Sequence, residues 1–178
     1  MVKKIGIGLL VVVLVLVVII ATRPAHFRVV RSAQINAASS TVFPLIDDFH
    51  NWPKWSPWEK LDPGMKKTFS GAPAGTGAQY AWVGNDKAGE GRMTITDSKP
   101  EQLVSMKLEF IKPYASTSQA TFALSPSGPA TKVEWSMEGD NGFVAKAFCM
   151  VMDMDKLVGK DFEEGLANLD RLAQKPAQ

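Results

Sequence analysis

Residues 104–110 read VSMKLEF, and this short stretch decides the fold. Its apolar side chains occupy every second position and alternate with Ser105, Lys107 and Glu109. The same alternation recurs in three other stretches, residues 92–96, 119–124 and 132–138. A period of two places successive side chains on opposite faces of a β-strand. The pattern therefore predicts four successive antiparallel strands with one covered face and one face exposed to water.

The cover for the apolar face is predicted at the C-terminus, in a helix over residues 152–173. On a helical wheel its leucines, Met154, Val158 and Phe162 fall on one side, and its charged residues fall on the other. A helix of that length is about 33 Å long, which is enough to cross a sheet of this size. The sequence thus predicts an α+β domain in which a curved antiparallel sheet wraps around one long helix.

Three further segments precede or follow the sheet. Residues 27–35 are predicted to form a first strand, and Ser39 or Ser40 is expected to N-cap a short helix that runs through Ile46. Residues 143–151 read FVAKAFCMV, which is too apolar for a free surface loop. We expect a helical turn that closes the core there, with a lid or a bilayer-touching element as the alternatives.

A proline- and tryptophan-rich segment, WPKWSPW, occupies residues 52–58. Its prolines stiffen the backbone, because each fixes its own φ angle. Trp52, Trp55 and Trp58 either surround an entrance to the interior or cap the open end of the sheet beside the first helix. A third position, at the level of lipid headgroups, is geometrically possible because the linker before the domain is short. The sequence leaves these interpretations open.

Residues 5–21 read IGIGLLVVVLVLVVIIA, without a charge or a proline. As a helix this run covers about 25 Å, slightly less than the ~30 Å hydrocarbon core of a bilayer. A cleaved signal peptide is the alternative, but the run is longer than a usual h-region and lacks a small-residue cleavage pattern. The pattern predicts a single-pass transmembrane anchor over residues 5–22.

The anchor implies a domain organisation and a location. A short basic N-terminus would occupy residues 1–4, a linker residues 23–26, one domain residues 27–173 and a tail residues 174–178. The basic residues on either side of the apolar run nearly balance, and they mildly favour an extracytoplasmic domain. The expected localisation is therefore the membrane.

Charge and cysteine content exclude several classes of function. The chain has 20 basic and 18 acidic residues. Without Lys3 and Lys4 the domain balances at 18 minus 18, so it lacks the basic excess of a nucleic-acid binder. The single cysteine, Cys149, cannot form an internal disulfide, and neither His26 nor His50 has a second ligand at metal-binding spacing. We expect no metal, no cofactor and no nucleic-acid partner.

Several short motifs occur in a fixed order between about residues 27 and 172. They are RSAQINA at 31–37, VF at 42–43 with Asp47, WPKWSPW at 52–58, FSG at 69–71, GTG at 75–77, WVGN at 82–85, MDKL at 154–157 and DFEEGL at 161–166. In this series the chain resembles the START-like, Bet v 1-like (SRPBCC) superfamily, in its polyketide cyclase/dehydrase and lipid-transport branch. The resemblance implies a helix-grip fold whose cavity, between sheet and helix, holds apolar small molecules or lipids in many members.

The apolar residues that face the helix are the candidate lining of such a cavity. They are Trp55, Trp58, Met93, Val104, Met106, Leu108, Phe110, Phe122, Trp135, Met137, Phe162, Gly165 and Leu166. Methionines adapt to irregular space, and Gly165 lies on the sheet-facing side of the helix without filling volume. Both features favour a partly hollow interior over the alternative, a solid core.

The functional hypothesis is a membrane-tethered domain that binds a small apolar molecule or a lipid. A non-catalytic protein-interaction module with a solid core is the alternative, and a cyclase or dehydratase is the third. Asp161, near the apolar side of the helix, is a weak candidate for a catalytic base. Tyr80 is the other residue that an enzyme could use.

Overall fold

The computed structural model describes residues 2–150 and 153–175, with side chains from residue 6 onward. The helices are α1 (Val2–Thr22), α2 (Ser39–Asp47), α3 (Phe143–Cys149) and α4 (Met154–Ala173). The strands are β1 (His26–Ile35), β2 (Lys66–Gly71), β3 (Ala78–Val83), β4 (Glu90–Lys99), β5 (Leu103–Lys112), β6 (Ser116–Ser127) and β7 (Ala130–Asp140). Two 3₁₀ helices, Phe49–Lys54 and Pro57–Leu61, connect α2 to the sheet.

All seven strands form one antiparallel sheet in the order β1-β7-β6-β5-β4-β3-β2. Strands β2 to β7 follow each other as a meander, and β1 pairs with β7, so β1 and β2 are the two edge strands. The register places Val104 beside Phe122 and Phe122 beside Trp135, so the apolar residues of neighbouring strands share one face. The α+β architecture and the four alternating strands predicted from the sequence are confirmed.

The long C-terminal helix packs across the apolar face of the sheet. Asp153 caps its first turn, because the carboxylate accepts a hydrogen bond from the backbone N–H of Lys156 at 3.1 Å. Phe162, Leu166 and Leu169 are buried on the sheet side. The helix begins at Met154. The predicted start at residue 152 lies outside the described residues.

One part of the interior is a solid aromatic cluster. The indole of Trp135 stacks between two phenyl rings, with its ring centroid 4.6 Å from Phe122 and 4.0 Å from Phe162. Trp52 and Trp55 pack edge-on against Phe122 and Trp135, and both are nearly inaccessible to solvent. The first two tryptophans of residues 52–58 are therefore core residues.

The N-terminal prediction needs correction. Among the residues that the structure describes, no helix is both long enough and apolar enough to cross a membrane. This finding contradicts the transmembrane anchor predicted over residues 5–22 and the membrane localisation inferred from it. The charge-free run, residues 5–21, covers about 25 Å as a helix, which is less than the ~30 Å of a hydrocarbon core.

Two smaller predictions also differ from the structure. Helix α2 is preceded by Ala38 at the N-cap position, and no side chain caps it. The hydroxyl of Ser39 is engaged elsewhere, 3.1 Å from the hydroxyl of Thr131. Residues 143–149 are helical as expected, but none of them is buried, so α3 does not close the core.

Candidate functional site

A cavity of about 470 Å³ lies between the sheet and the N-terminal half of α4. Its walls come from the two 3₁₀ helices, from strands β3, β4, β5 and β7, from α4, and from the turn that joins β3 to β4. The lining residues are Trp52, Ser56, Trp58, Glu59, Leu61, Met65, Tyr80, Trp82, Lys87, Ala88, Met93, Leu108, Phe110, Met137, Leu157, Val158 and Asp161. Most of this surface is aromatic, aliphatic or methionine side chain.

The structure places five of the thirteen candidate lining residues on this cavity, namely Trp58, Met93, Leu108, Phe110 and Met137. The other eight lie outside the lining, in the packed interior. They are Trp55, Val104, Met106, Phe122, Trp135, Phe162, Gly165 and Leu166. The inward face of the sheet is thus filled over β6 and the neighbouring parts of β5 and β7, and it is hollow toward β3 and β4.

Gly165 does not mark a void. A β-carbon at this position would lie 2.7 Å from the indole carbon Cζ3 of Trp135 and 3.2 Å from Cδ of Pro57. The first distance is shorter than van der Waals contact allows, and the second is a tight contact. The glycine therefore makes room for the Trp135 ring against the helix, and its use as a sign of a hollow interior is corrected.

Three polar side chains, those of Glu59, Tyr80 and Lys67, form a hydrogen-bonded cluster at the cavity wall. The hydroxyl of Tyr80 donates to Oε1 of Glu59 at 3.4 Å, and the ammonium of Lys67 pairs with the other carboxylate oxygen. Burial, followed by the neighbouring charge of Glu59, raises the pKa of Tyr80 above its ordinary value. The phenol consequently stays protonated and acts as a hydrogen-bond donor.

The sequence alone predicts no role for Glu59, and it predicts Tyr80 only as an alternative catalytic residue. The signal for Tyr80 was present, because Tyr80 and Trp82 alternate with Gln79 and Ala81 in the same period of two. Glu59 lies in a 3₁₀ helix, where no such period indicates which side chains face inward.

Asp161 also lies at the cavity wall, on α4. The indole N–H of Trp58 donates to its Oδ2 at 3.1 Å. This contact holds the third tryptophan of residues 52–58 beside the cavity, while the first two belong to the core or its border. The weak catalytic candidate of the sequence analysis thus has a structural partner and a position against the open volume.

The remaining candidate residues lie away from the cavity. The ring of His50 stacks on Phe69, with centroids 4.3 Å apart, and its Nδ1 lies 2.8 Å from Oδ1 of Asp48. Cys149 is an unpaired cysteine at the end of α3. Among the residues that the structure describes, no cluster of three or more histidine, cysteine or acidic side chains could hold a metal ion.

The family model described as polyketide cyclase / dehydrase and lipid transport matches residues 26–174. The chain belongs to this family. The match covers the whole sheet and α4, which confirms the family resemblance of the sequence motifs. No curated protein compared with the chain matches it significantly.

Solved structures show the same fold. A protein of uncharacterised function from Rhizobium leguminosarum has a TM-score of 0.63 at 15% identity, over 86% of this chain and 98% of its own. A protein from Chromobacterium violaceum reaches 0.60 at 14% identity, over 86% of this chain and 100% of its own. DynU16, from the dynemicin biosynthetic locus, reaches 0.58 at 15% identity, over 83% of this chain and 47% of its own. At these identities the likeness concerns the fold alone.

Proposed function

We propose that this protein binds a small apolar molecule in the cavity between the sheet and α4. The cavity itself carries the proposal. Its volume of about 470 Å³ falls in the roughly 300–1,000 Å³ range of small-molecule sites, and its mostly apolar wall with a few polar groups is typical of such sites.

Burial of the ligand would supply the binding free energy. Each Å² of apolar surface removed from water contributes about 25 cal/mol, so a ligand that buries about 200 Å² gains about 5 kcal/mol before its entropic costs. Met65, Met93 and Met137 contribute flexible thioether side chains to the wall. These side chains would let the cavity adapt to ligands of somewhat different shape.

The alternative of an interaction module rested on a solid core. The hollow between β3, β4, β5 and α4 supports ligand binding in preference to that alternative. A cyclase or dehydratase built on Asp161 or Tyr80 stays a prediction, although both side chains lie at the cavity wall.

The test places a larger side chain on the cavity wall and measures ligand affinity. The control is the same substitution at an exposed position outside the cavity. Leu108 lies on the cavity wall, whereas Ile111, three residues further along β5, is exposed. We expect Leu108→Trp to weaken binding of the uncharged fluorescent probe Nile red by about tenfold or more, because the added ring occupies the ligand's volume. Ile111→Trp should leave the affinity within about twofold of wild type.

Thermal unfolding of both variants shows whether the fold is retained. Equal binding by the wild type and a folded Leu108→Trp variant would show that the cavity is not the binding site. Native mass spectrometry of the full chain, purified from its host, then identifies by mass the apolar molecule that the cavity retains.

A further inference from the structure

We infer that the molecule bound in this cavity carries a polar end that donates hydrogen bonds, and that the site prefers an alkylammonium over an alkyl carboxylate. The inference rests on the proposed function and adds a ligand class to it. It follows from a comparison of two sets of polar atoms in the cavity wall. One set already makes hydrogen bonds within the protein, and the other is available to a ligand.

The indole and phenol hydrogen-bond donors of the wall are already engaged within the protein. The indole N–H groups of Trp52 and Trp82 donate to the backbone carbonyls of Ile46 at 2.8 Å and Ala88 at 3.0 Å. The indole of Trp58 donates to Asp161, and the phenol of Tyr80 donates to Glu59. Among these side chains, no N–H or O–H is left for a ligand that only accepts hydrogen bonds.

Acceptors are still available. A carboxylate offers two oxygens with about four lone-pair positions and no donor. Asp161 uses Oδ2 for the indole of Trp58, and its Oδ1 makes no hydrogen bond within the described residues. Ser56, also on the wall, can donate or accept and therefore does not discriminate.

The charge of Asp161 sets the preference between ammonium and carboxylate. Glu59 is already paired with Lys67, but no basic side chain in the described part of the chain lies within ion-pair distance of Asp161. A ligand ammonium would neutralise this charge next to an apolar wall, where such pairs are stronger than in water. A ligand carboxylate would instead meet two carboxylates of like charge.

Lys87 is a cation at the rim of the same cavity, and it could favour the opposite sign. It lies in the exposed turn between β3 and β4. Ion pairs in that position are screened by salt and contribute little. Asp161 is half-buried, so its charge should dominate the selectivity.

The experiment uses the full chain and three probes that share one alkyl chain, namely dodecylamine, dodecanol and dodecanoate. Each displaces Nile red at neutral pH. We expect dodecylamine to displace the probe at a concentration about tenfold lower than dodecanoate, with dodecanol in between.

Two variants assign the preference to a residue. Asp161→Asn should weaken dodecylamine binding about tenfold and leave dodecanol within about twofold, because asparagine still offers Trp58 an acceptor oxygen. Asp86→Asn is the matched control, since it removes one carboxylate from the exposed turn next to Lys87 and does not line the cavity. It should leave the order of the three probes unchanged.

Other outcomes overturn the inference in distinguishable ways. Tightest binding of dodecanoate, lost in Lys87→Met, would show that the rim cation sets the selectivity. Equal displacement by all three probes, unchanged in Asp161→Asn, would show that the polar residues of the wall do not discriminate between ligand head groups. Absence of Nile red binding to the folded wild-type chain would overturn the proposed function together with the inference.

Discussion

The guanidinium of Arg31, on β1, lies directly over Gly159 of α4 and fills the space that a β-carbon at residue 159 would need. From there its Nε donates to Glu163 at 2.7 Å, and its other nitrogens reach the carboxylate of Asp155 at 3.0 Å. The hydrogen bonds to Asp155 and Glu163 raise the pKa of Arg31, and the bond from Arg31 lowers the pKa of Asp155. Gly159 thus allows one arginine to join the first strand to two turns of the last helix.

Replacing Gly159 with alanine is expected to destabilise the protein, although alanine is the better helix former by about 1 kcal/mol. The new methyl group must displace the Arg31 guanidinium from its carboxylate partners. The control is the same substitution in an Arg31→Ala background, where Gly159→Ala should stabilise by about 1 kcal/mol. Urea unfolding of the four proteins measures both effects, and a stabilising Gly159→Ala in the wild-type background would contradict the prediction.

Gly165→Ala should destabilise the protein, although alanine is the better helix former. Here the neighbour is the ring of Trp135, which is stacked between Phe122 and Phe162 and cannot move aside as an arginine head group can. Overpacking of this kind costs about 1–3 kcal/mol. Thermal unfolding should show a clear loss for Gly165→Ala, and a melting temperature equal to that of wild type would show that the aromatic cluster is loosely packed.

The sequence predicted which side chains share the inward face of the sheet, because the two-residue period of a strand determines the face directly. It did not predict which part of that face is hollow. Trp52 and Trp55 fill the space over Phe122 and Trp135, and they come from a connection far earlier in the chain. Strand periodicity contains no information on where such a distant segment packs.

The two helix glycines illustrate the same limit. The wheel placed Gly165 on the sheet side correctly, but helical periodicity cannot show whether a large ring from another strand occupies the adjoining space. For Gly159 the sequence indicated no role, since its function depends on the length and direction of an arginine side chain on β1. Contacts between residues distant in the chain decided both cases, 30 positions apart for Gly165 and Trp135 and 128 positions apart for Gly159 and Arg31.

The ion pairs of Glu109 should stabilise the fold at neutral pH and stop doing so in acid. On the outer face of the sheet, hydrogen bonds from Arg92 and Lys107 lower the pKa of Glu109 from its ordinary 4.5 to about 2. Because the folded state has the lower pKa, this contribution is present above about pH 4.5 and is lost as the pH falls toward 2. Glu109→Gln should therefore lower the melting temperature slightly at neutral pH, and the difference should disappear near pH 2. A difference that persists at pH 2 would mean that the charge of Glu109 is not its cause.

A buried hydroxyl pair links β7 to the start of α2. Thr131 is fully buried and donates to the carbonyl of Ala37 at 2.8 Å, so the hydroxyl of Ser39, 3.1 Å away, must donate to Thr131. Thr131→Val keeps the shape but removes both hydrogen bonds, which we expect to cost about 1–3 kcal/mol in urea unfolding.

The double variant with Ser39→Ala tests the cause of that loss. Ser39→Ala removes the hydroxyl that Thr131→Val leaves without an acceptor, so the two losses should not add. If the effect of Thr131→Val comes from this stranded donor, the double variant should be about as stable as Thr131→Val alone, or more so. Strict additivity of the two single losses would show that the hydroxyls contribute independently, and that the pair does not fix the position of α2 against the sheet.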